Sequence, residues 1–444
     1  MKKVLLISIL LGIIVIGCSK YSQGELIGVQ GRKKYFEPDP YGMIFVPNGS
    51  FNMGSNEQDV TWAMTSQSKT VSVDAFWIDE TEITNNEYRQ FVYYVRDSIM
   101  RRILAQAGRI EFEISEDEDG NVFDPPYINW DEKIDHRDQE IREFLNEIYL
   151  SQDERFYMRK EIDTRKLMFE YYNVDLEQAA KKANRYNFET QEYEGYFINR
   201  DGERIEIENR STFIVVDRIN VYPDTLVWIS DFTYSYNEPY AETYFWHPGY
   251  DNYPVVGVNW KQVRAFCIWR TKLLNDFLAS KGNPHVMKYR LPLESEWEYA
   301  ARGGLDLAPY PWGGMYTTNY EGCFLANFKP QRGRYTLDGA LISVDVGTYE
   351  PNEWGIYDMA GNVAEWTENA YDESAYLFTH DMNPDYIYYA LPEDPPVLKR
   401  KVIRGGSWKD IAYYLQCGTR TYEYQDTAKS YIGFRCVRSY LGGI

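Results

Sequence analysis

Five cysteines, four histidines and a run of closely spaced glutamates are the residues of this sequence whose chemistry depends most on spacing. Cys18 stands apart, at the end of an apolar run. Cys267, Cys323, Cys417 and Cys436 remain, an even set, which in an oxidising compartment predicts disulfides without choosing a pairing. Zinc is the competing chemistry, and the pattern disfavours it: there is no Cys-x-x-Cys, and His136, His247, His285 and His380 are scattered. Glu294, Glu296 and Glu298 flank Trp297 and could be read as paired acid and base. Their spacing instead predicts the exposed and capping faces of a short helix whose apolar side is Trp297 and Ala300. Gly303-Gly304, Gly361 and Gly405-Gly406 predict tight loops, because no Gly-x-x-x-x-Gly-Lys or strand-adjacent Gly-x-Gly-x-x-Gly occurs.

Those side chains must be positioned by a chain of 444 residues with 47 Lys+Arg against 67 Asp+Glu, a formal charge of −20. Such a balance excludes a broad basic surface for nucleic acid. A hydrophobic share of 44% is enough to bury cores, and the length suits two or three domains or one large domain with insertions. Forty tyrosines suit irregular folds with pinned loops, and also protein contact surfaces. At the N-terminus, Met1-Lys2-Lys3, the apolar stretch Val4 to Ile16 and Gly17-Cys18 predict a secretory signal over 1–17 with a bacterial lipobox, and lipidation of Cys18. Cleavage at another position, with Cys18 incidental, is the alternative. The stretch is short of the ~20 apolar residues that a membrane span wants. Residues 18–40 then form a polar tether from lipid to globule. Ser19 after Cys18, without an acidic retention residue, favours the outer membrane by resemblance to bacterial lipoproteins.

Residues 41–95 predict strands over Met43–Pro47, Ser50–Gly54 and Val71–Ile78, then a helix capped by Thr84 and Glu87 with Tyr88, Phe91, Val92 and Val95 buried. Residues 96–247 differ in character. They carry the acidic run Ser115 to Gly120, read as a solvated loop, an amphipathic helix through Ile141, Phe144, Leu145, Ile148 and Tyr149, a hairpin around Asp201-Gly202, and strands at Phe213–Val216 and Leu226–Ile229. Residues 248–444 open with a strand at Val256–Asn259 leading into a helix that buries Val263, Phe266, Cys267 and Trp269.

That last part holds, in order, Arg290-Leu291-Pro292-Leu293-Glu294-Ser295-Glu296-Trp297-Glu298, Gly355-Ile356-Tyr357-Asp358-Met359-Ala360-Gly361-Asn362-Val363-Ala364-Glu365-Trp366, Arg404-Gly405-Gly406-Ser407 and Gly433-Phe434-Arg435-Cys436. With the Glu80 to Asn85 turn, these strings resemble the formylglycine-generating enzyme (sulfatase-modifying factor) family. The resemblance implies an α+β fold: a C-type-lectin-like core rich in irregular loops, split into 41–95 and 248–444 by a mixed helical and strand insertion. It implies copper-binding catalytic cysteines, the first three residues after the Ser of Arg-Gly-Gly-Ser. Here that Ser is Ser407 and the third residue on is Asp410, while Ile411 to Gln416 contains no cysteine. A carboxylate cannot supply soft thiolate ligation, so Ser407 and Asp410 mark a degenerate active site and no copper is expected. The resemblance further implies structural calcium at Asp358, Gly361, Val363 and Glu365, and at Asn327, Phe328, Asp338 and Ala340. It pairs Cys267 with Cys436; Ala301 stands where the partner of Cys417 would be, leaving Cys417 free or joined to Cys323.

A lipobox, a core without its reactive cysteines, an acidic insertion and abundant tyrosine together resemble the gliding-motility lipoprotein K family (GldK, PorK) of the type IX secretion system. That resemblance implies a non-catalytic lipoprotein, self-associating into a periplasmic ring under the outer membrane with a second protein of the gliding-motility protein N type (GldN, PorN). The gliding-motility lipoprotein J family shares the core. Two other classes stand beside this: a calcium-dependent glycan or peptidoglycan binder, and an oxidase with altered chemistry around Asp410.

Overall fold

The computed structural model describes residues 28, 31, 35–55, 67–116, 120–199 and 202–442. Cys18, the signal segment, Asp117 to Asp119 of the acidic run and Arg200-Asp201 of the hairpin turn lie outside the described residues. The compact unit is Asp39–Leu441; the other unit, Met1–Pro38 with Gly442–Ile444, has few described residues. Among the described residues no helix is long and apolar enough to cross a membrane.

The compact unit is α+β, with two four-stranded sheets and several two-stranded ribbons. The first sheet runs in the order Met43–Val46, Phe76–Asp79, Val437–Ser439, Tyr289–Arg290, all antiparallel. The second runs Thr421–Tyr424, Arg400–Arg404, Ala364–Ala370, Ile432–Gly433, the last pair parallel. One expected strand, Val71–Ile78, is two. Lys69–Val73 pairs with Gly49–Met53, and Phe76–Asp79 joins the first sheet, because the chain changes partners at Asp74-Ala75.

Two helices of more than twenty residues pack at the centre, and both begin on a reciprocal cap. Thr84 accepts from the Glu87 N–H at 3.3 Å while its own N–H donates to the Glu87 carboxylate at 2.8 Å, opening Asn85–Gln106. Asn259 and Gln262 do the same for Trp260–Ser280, at 3.0 and 2.9 Å. The buried faces meet where Tyr88 stacks on Phe266 at 5.6 Å. Val256–Asn259 is not a strand: Gly257 takes φ +75° and Asn259 becomes the cap.

The middle zone shares this core. Ile141, Leu145 and Ile148 are buried in one cluster with Tyr88, Phe91 and Phe266. The ribbon Met168–Val174 with Ile214–Asn220 sets Phe169 edge-on against Phe91 at 5.1 Å. The boundary expected between residues 95 and 96 falls inside the Asn85–Gln106 helix, which runs through it unbroken. The hairpin around Gly202 forms, pairing Tyr196–Ile198 with Arg204–Glu206. Leu226–Ile229 is not a strand; the Asp224 carboxylate accepts the Leu226 N–H at 2.9 Å and turns the chain into the helix Val227–Asp231, which buries Trp228.

Candidate functional site

The Arg400–Arg404 strand ends in a turn that only small residues allow. Gly406 has φ +66°, and a Cβ there would stand 2.8 Å from the Tyr414 carbonyl oxygen. The turn places Ser407 in the interior, where its hydroxyl donates to Asp410 Oδ2 at 2.6 Å. Lys409 Nζ holds the other oxygen at 3.0 Å and lies 3.9 Å from the centre of the Tyr431 ring. The Asp410 N–H donates to the Ser407 carbonyl at 2.8 Å, and its own carbonyl accepts the Lys329 N–H at 2.9 Å. With its side chain 18% exposed and both oxygens engaged, Asp410 is a paired loop-closing carboxylate, not an exposed cleft residue. Beside it Trp408 is covered by rings from the middle zone, Trp228 at 6.0 Å and Phe232 at 5.1 Å. A hydroxyl and an ammonium group meet the Asp410 carboxylate, and the chain continues into the short 3-10 turn Ala412–Leu415.

The sulfurs of Cys267 and Cys436 are 3.6 Å apart and buried, in contact but not bonded. Cys417 is buried and its thiol is pushed up to about 12 by burial, whereas Cys323 is exposed on the Thr318–Phe324 turn.

The two expected calcium sets differ in how well their donors fit. Glu365 accepts at both oxygens from Arg435 and at one from Trp297 Nε1, at 2.6 to 2.9 Å. These four contacts come from three N–H groups, the one Arg435 Nε hydrogen being shared by both oxygens, so Glu365 is tied to the protein at each oxygen and any cation would have to share it. Asp358 accepts the Gly347 N–H at 2.6 Å; burial pushes its carboxyl up to about 6. Glu82, unrecognised in the sequence as part of this loop, is buried here and holds Asn362 Nδ2 at 2.7 Å and the Val363 N–H at 3.1 Å. The first set is thus clamped by protein groups. The second set is gathered by Asp338, which accepts from the Phe328 N–H at 2.9 Å and the Ala340 N–H at 3.2 Å, while Asn327 Nδ2 donates to the Ile342 carbonyl at 2.9 Å. Oxygen donors remain there, and the chemistry suits calcium. Among the described residues no group of three or more His, Cys, Asp or Glu side chains converges as a metal site.

The glutamate series corrects the sequence reading most sharply, because all three side chains are buried, not solvated. Glu298 accepts from Arg302 at 2.6 Å, from the Gly54 N–H at 2.8 Å and from Arg404. Glu294 accepts from Arg420 at 2.5 Å and from the Tyr376 hydroxyl at 3.1 Å, and Glu296 takes both arms of Arg290 at 2.6 Å. Burial alone would raise Glu294; Arg420 and Arg404 hold its carboxyl below the ordinary value. These carboxylates are fully paired and hold the framework under the Ser407 turn. The signal missed in the sequence is the repeated arginine, at Arg290, Arg302, Arg404, Arg420 and Arg435, each of which meets a buried glutamate.

A sequence model of the family described as "Sulfatase-modifying factor enzyme 1-like domain" matches residues 32–440. The chain belongs to this family. Within the sulfatase-modifying factor family it is 33% identical over 190 residues to "Inactive C-alpha-formylglycine-generating enzyme 2" of Bos taurus, covering 41% of this chain and 50% of that protein. It is 31% identical over 196 residues to "Formylglycine-generating enzyme" of Streptomyces coelicolor, covering 42% and 53%. The chain spans about half the length of these relatives, and the family holds inactive members as well as enzymes. Among solved structures, that of PvdO from Pseudomonas aeruginosa aligns with a TM-score of 0.44 at 16% identity, covering 90% of this chain and 94% of that one.

Proposed function

We propose that this chain is a non-catalytic member of the sulfatase-modifying factor family, a structural lipoprotein anchored through Cys18 in the outer membrane and facing the periplasm. Its place is in the ring of the type IX secretion and gliding-motility machinery, as a protein of the gliding-motility lipoprotein K type. It partners a gliding-motility protein N type subunit and further copies of itself, and its core is of the C-type-lectin-like kind. One observation carries the loss of catalysis: the position of the first family cysteine is Asp410, spent on Ser407 and Lys409. Loss of reactive atoms with retention of the scaffold is what a family member turned to assembly would keep. The tyrosine-rich middle zone supplies the contact surface in this reading.

Structural calcium belongs to the same proposal at the Asp338 loop. At Asp358 and Glu365 the cation would have to share Glu365 with Arg435 and Trp297.

The test has two arms. Purified protein loaded with copper and given a cysteine peptide of sulfatase type should show no oxygen uptake and no aldehyde; turnover in that assay would return the chain to the enzymes. Mild-detergent extraction followed by electron microscopy should show a ring containing this chain with a second protein, and Cys18→Ala should release it from the membrane. A monomer extracted alone would remove the assembly role.

A further inference from the structure

The hairpin Gly49–Met53 with Lys69–Val73 and the turn after the Glu294–Arg302 helix line a cavity of about 240 Å³ that is open to solvent on one side. Its walls include Ser50, Phe51, Asn52, Thr70, Tyr299 and Asp306, none of them a residue of the Ser407 and Asp410 site. At ~30 Å³ per water it has room for about eight. That is below the ~300 Å³ at which pockets for drug-sized molecules begin, and enough for one small ring.

Tyr299 is 8% exposed, and among the described residues its hydroxyl has no protein partner. The ring is fixed by Phe51 at 5.1 Å and by Trp354 edge-on at 4.9 Å, and Gly49 leaves the space that the hydroxyl occupies, since a Cβ at 49 would collide with it. That hydroxyl opens onto the pocket, where solvent or a bound group completes its hydrogen bonding. Opposite it, Asn52 is oriented from two sides: Thr70 Oγ1 donates to its Oδ1 at 2.7 Å, and its Nδ2 donates to Asp306 at 3.1 Å. The Asn52 N–H and Nδ2 also reach Asp306 Oδ1, at 3.3 and 3.4 Å; with one amide hydrogen shared between the two carboxylate oxygens, the other amide hydrogen and the remaining Asp306 lone pairs are a donor and an acceptor for two adjacent hydroxyls.

The charges narrow the ligand further. Arg302 reaches the wall, but its guanidinium is spent on Glu298, the Ala308 carbonyl and the Gly54 carbonyl, so it cannot capture an anion. Asp306 is the one lining carboxylate, and it repels anions. Phe51 and Leu305 offer apolar wall. We infer that this cavity binds one pyranose ring of a neutral saccharide, with vicinal hydroxyls on Asn52 and Asp306 and a third on Tyr299.

Ligand-observed NMR and thermal shift on the purified chain, titrated with methyl glucoside, methyl mannoside, methyl galactoside and N-acetylglucosamine, should show saturable binding of at least one. Tyr299→Phe removes only the unpartnered hydroxyl; it should leave the melting temperature unchanged and weaken binding about two- to tenfold. Asp306→Asn, at an exposed side chain, should weaken it about tenfold or more. The inference is overturned by no saturable binding of any of the four sugars, by affinity unchanged in both variants, or by equal competition from n-butylamine, which would make the site one for amines.

Discussion

Lys401 carries a charge in the interior that the rest of the structure opposes. Its side chain is fully buried in the second sheet, the ammonium 3.7 Å from the centre of the Trp260 ring and 2.5 Å from the Tyr388 carbonyl. Burial pushes its pKa down to about 7; Glu368 raises it, and Arg264 and Lys261 lower it. With a folded value below the unfolded one, the unfolded chain binds the extra proton between about pH 7 and 10.5, so stability rises with pH across that window and levels off below it. Lys401→Met should flatten this slope by up to ~1.4 kcal/mol per pH unit, read as the difference between wild-type and variant urea unfolding at pH 7 and pH 9. Glu298 is the opposite case, a buried carboxylate with two arginine partners. Glu298→Gln leaves Arg302 and Arg404 short of counter-charge and should cost about 3–5 kcal/mol in thermal unfolding. Residues of this kind were the least legible in the sequence: three glutamates near one tryptophan read as a solvated face, because Arg420 on Glu294 and Arg404, the second partner of Glu298, stand 126 and 106 residues away. Cys267 and Cys436, which the family resemblance pairs, have their sulfurs 3.6 Å apart and unjoined. Under oxidising conditions, non-reducing peptide mapping should find these two joined and Cys323 alkylated; Cys267 recovered as a free thiol would refute the pairing.

Elements were legible wherever a local rule decides them. The Asn85–Gln106 helix begins at a cap visible as the pair Thr84 and Glu87, and the hairpin through Gly202 follows from its turn, whereas Asn259, which with Gln262 caps Trp260–Ser280, read as the end of a strand. Gln262 does more than cap: its Nε2 also donates to the carbonyls of Asn220 at 3.1 Å and Tyr222 at 2.9 Å, tying the middle-zone ribbon to the Trp260–Ser280 helix. Gln262→Ala should therefore cost about 1–3 kcal/mol, more than the ~1 kcal/mol of Thr84→Ala, whose cap makes no second tie. Equal melting temperatures for the two variants would show that the ribbon tie contributes nothing. Elements failed to read where tertiary partners decide. Val71 to Ile78 alternates to Asp74 and is then continuously apolar, with no break that marks its halves as belonging to different sheets, and Val227–Asp231 is helical because Trp228 sinks beneath Trp408 and Tyr240.

For the molecule as a whole, the middle zone that the sequence sets apart as an addition is built into the same core as the rest. Ile148, Phe169 and Phe266 occupy one cluster, so deleting residues 96–247 should abolish folding, seen as loss of a cooperative melt. Contact function must then be sought in surface variants. Tyr172 and Val216 face each other on the outer side of the ribbon and are exposed. Changing both to Ser should keep the melting temperature within about 1–2 °C while a partner pull-down reports on assembly. The first sheet has a consequence in time. Its Val437–Ser439 strand lies between Phe76–Asp79 and Tyr289–Arg290, and Cys436 bonds to Asp79 across 357 residues. The sheet cannot close until residue 439 has been synthesised, so the earlier strands must wait with open edges that invite pairing with neighbouring nascent chains. A chain with this order of assembly keeps its first sheet open for nearly its whole synthesis, the interval over which a bound chaperone would shield those edges.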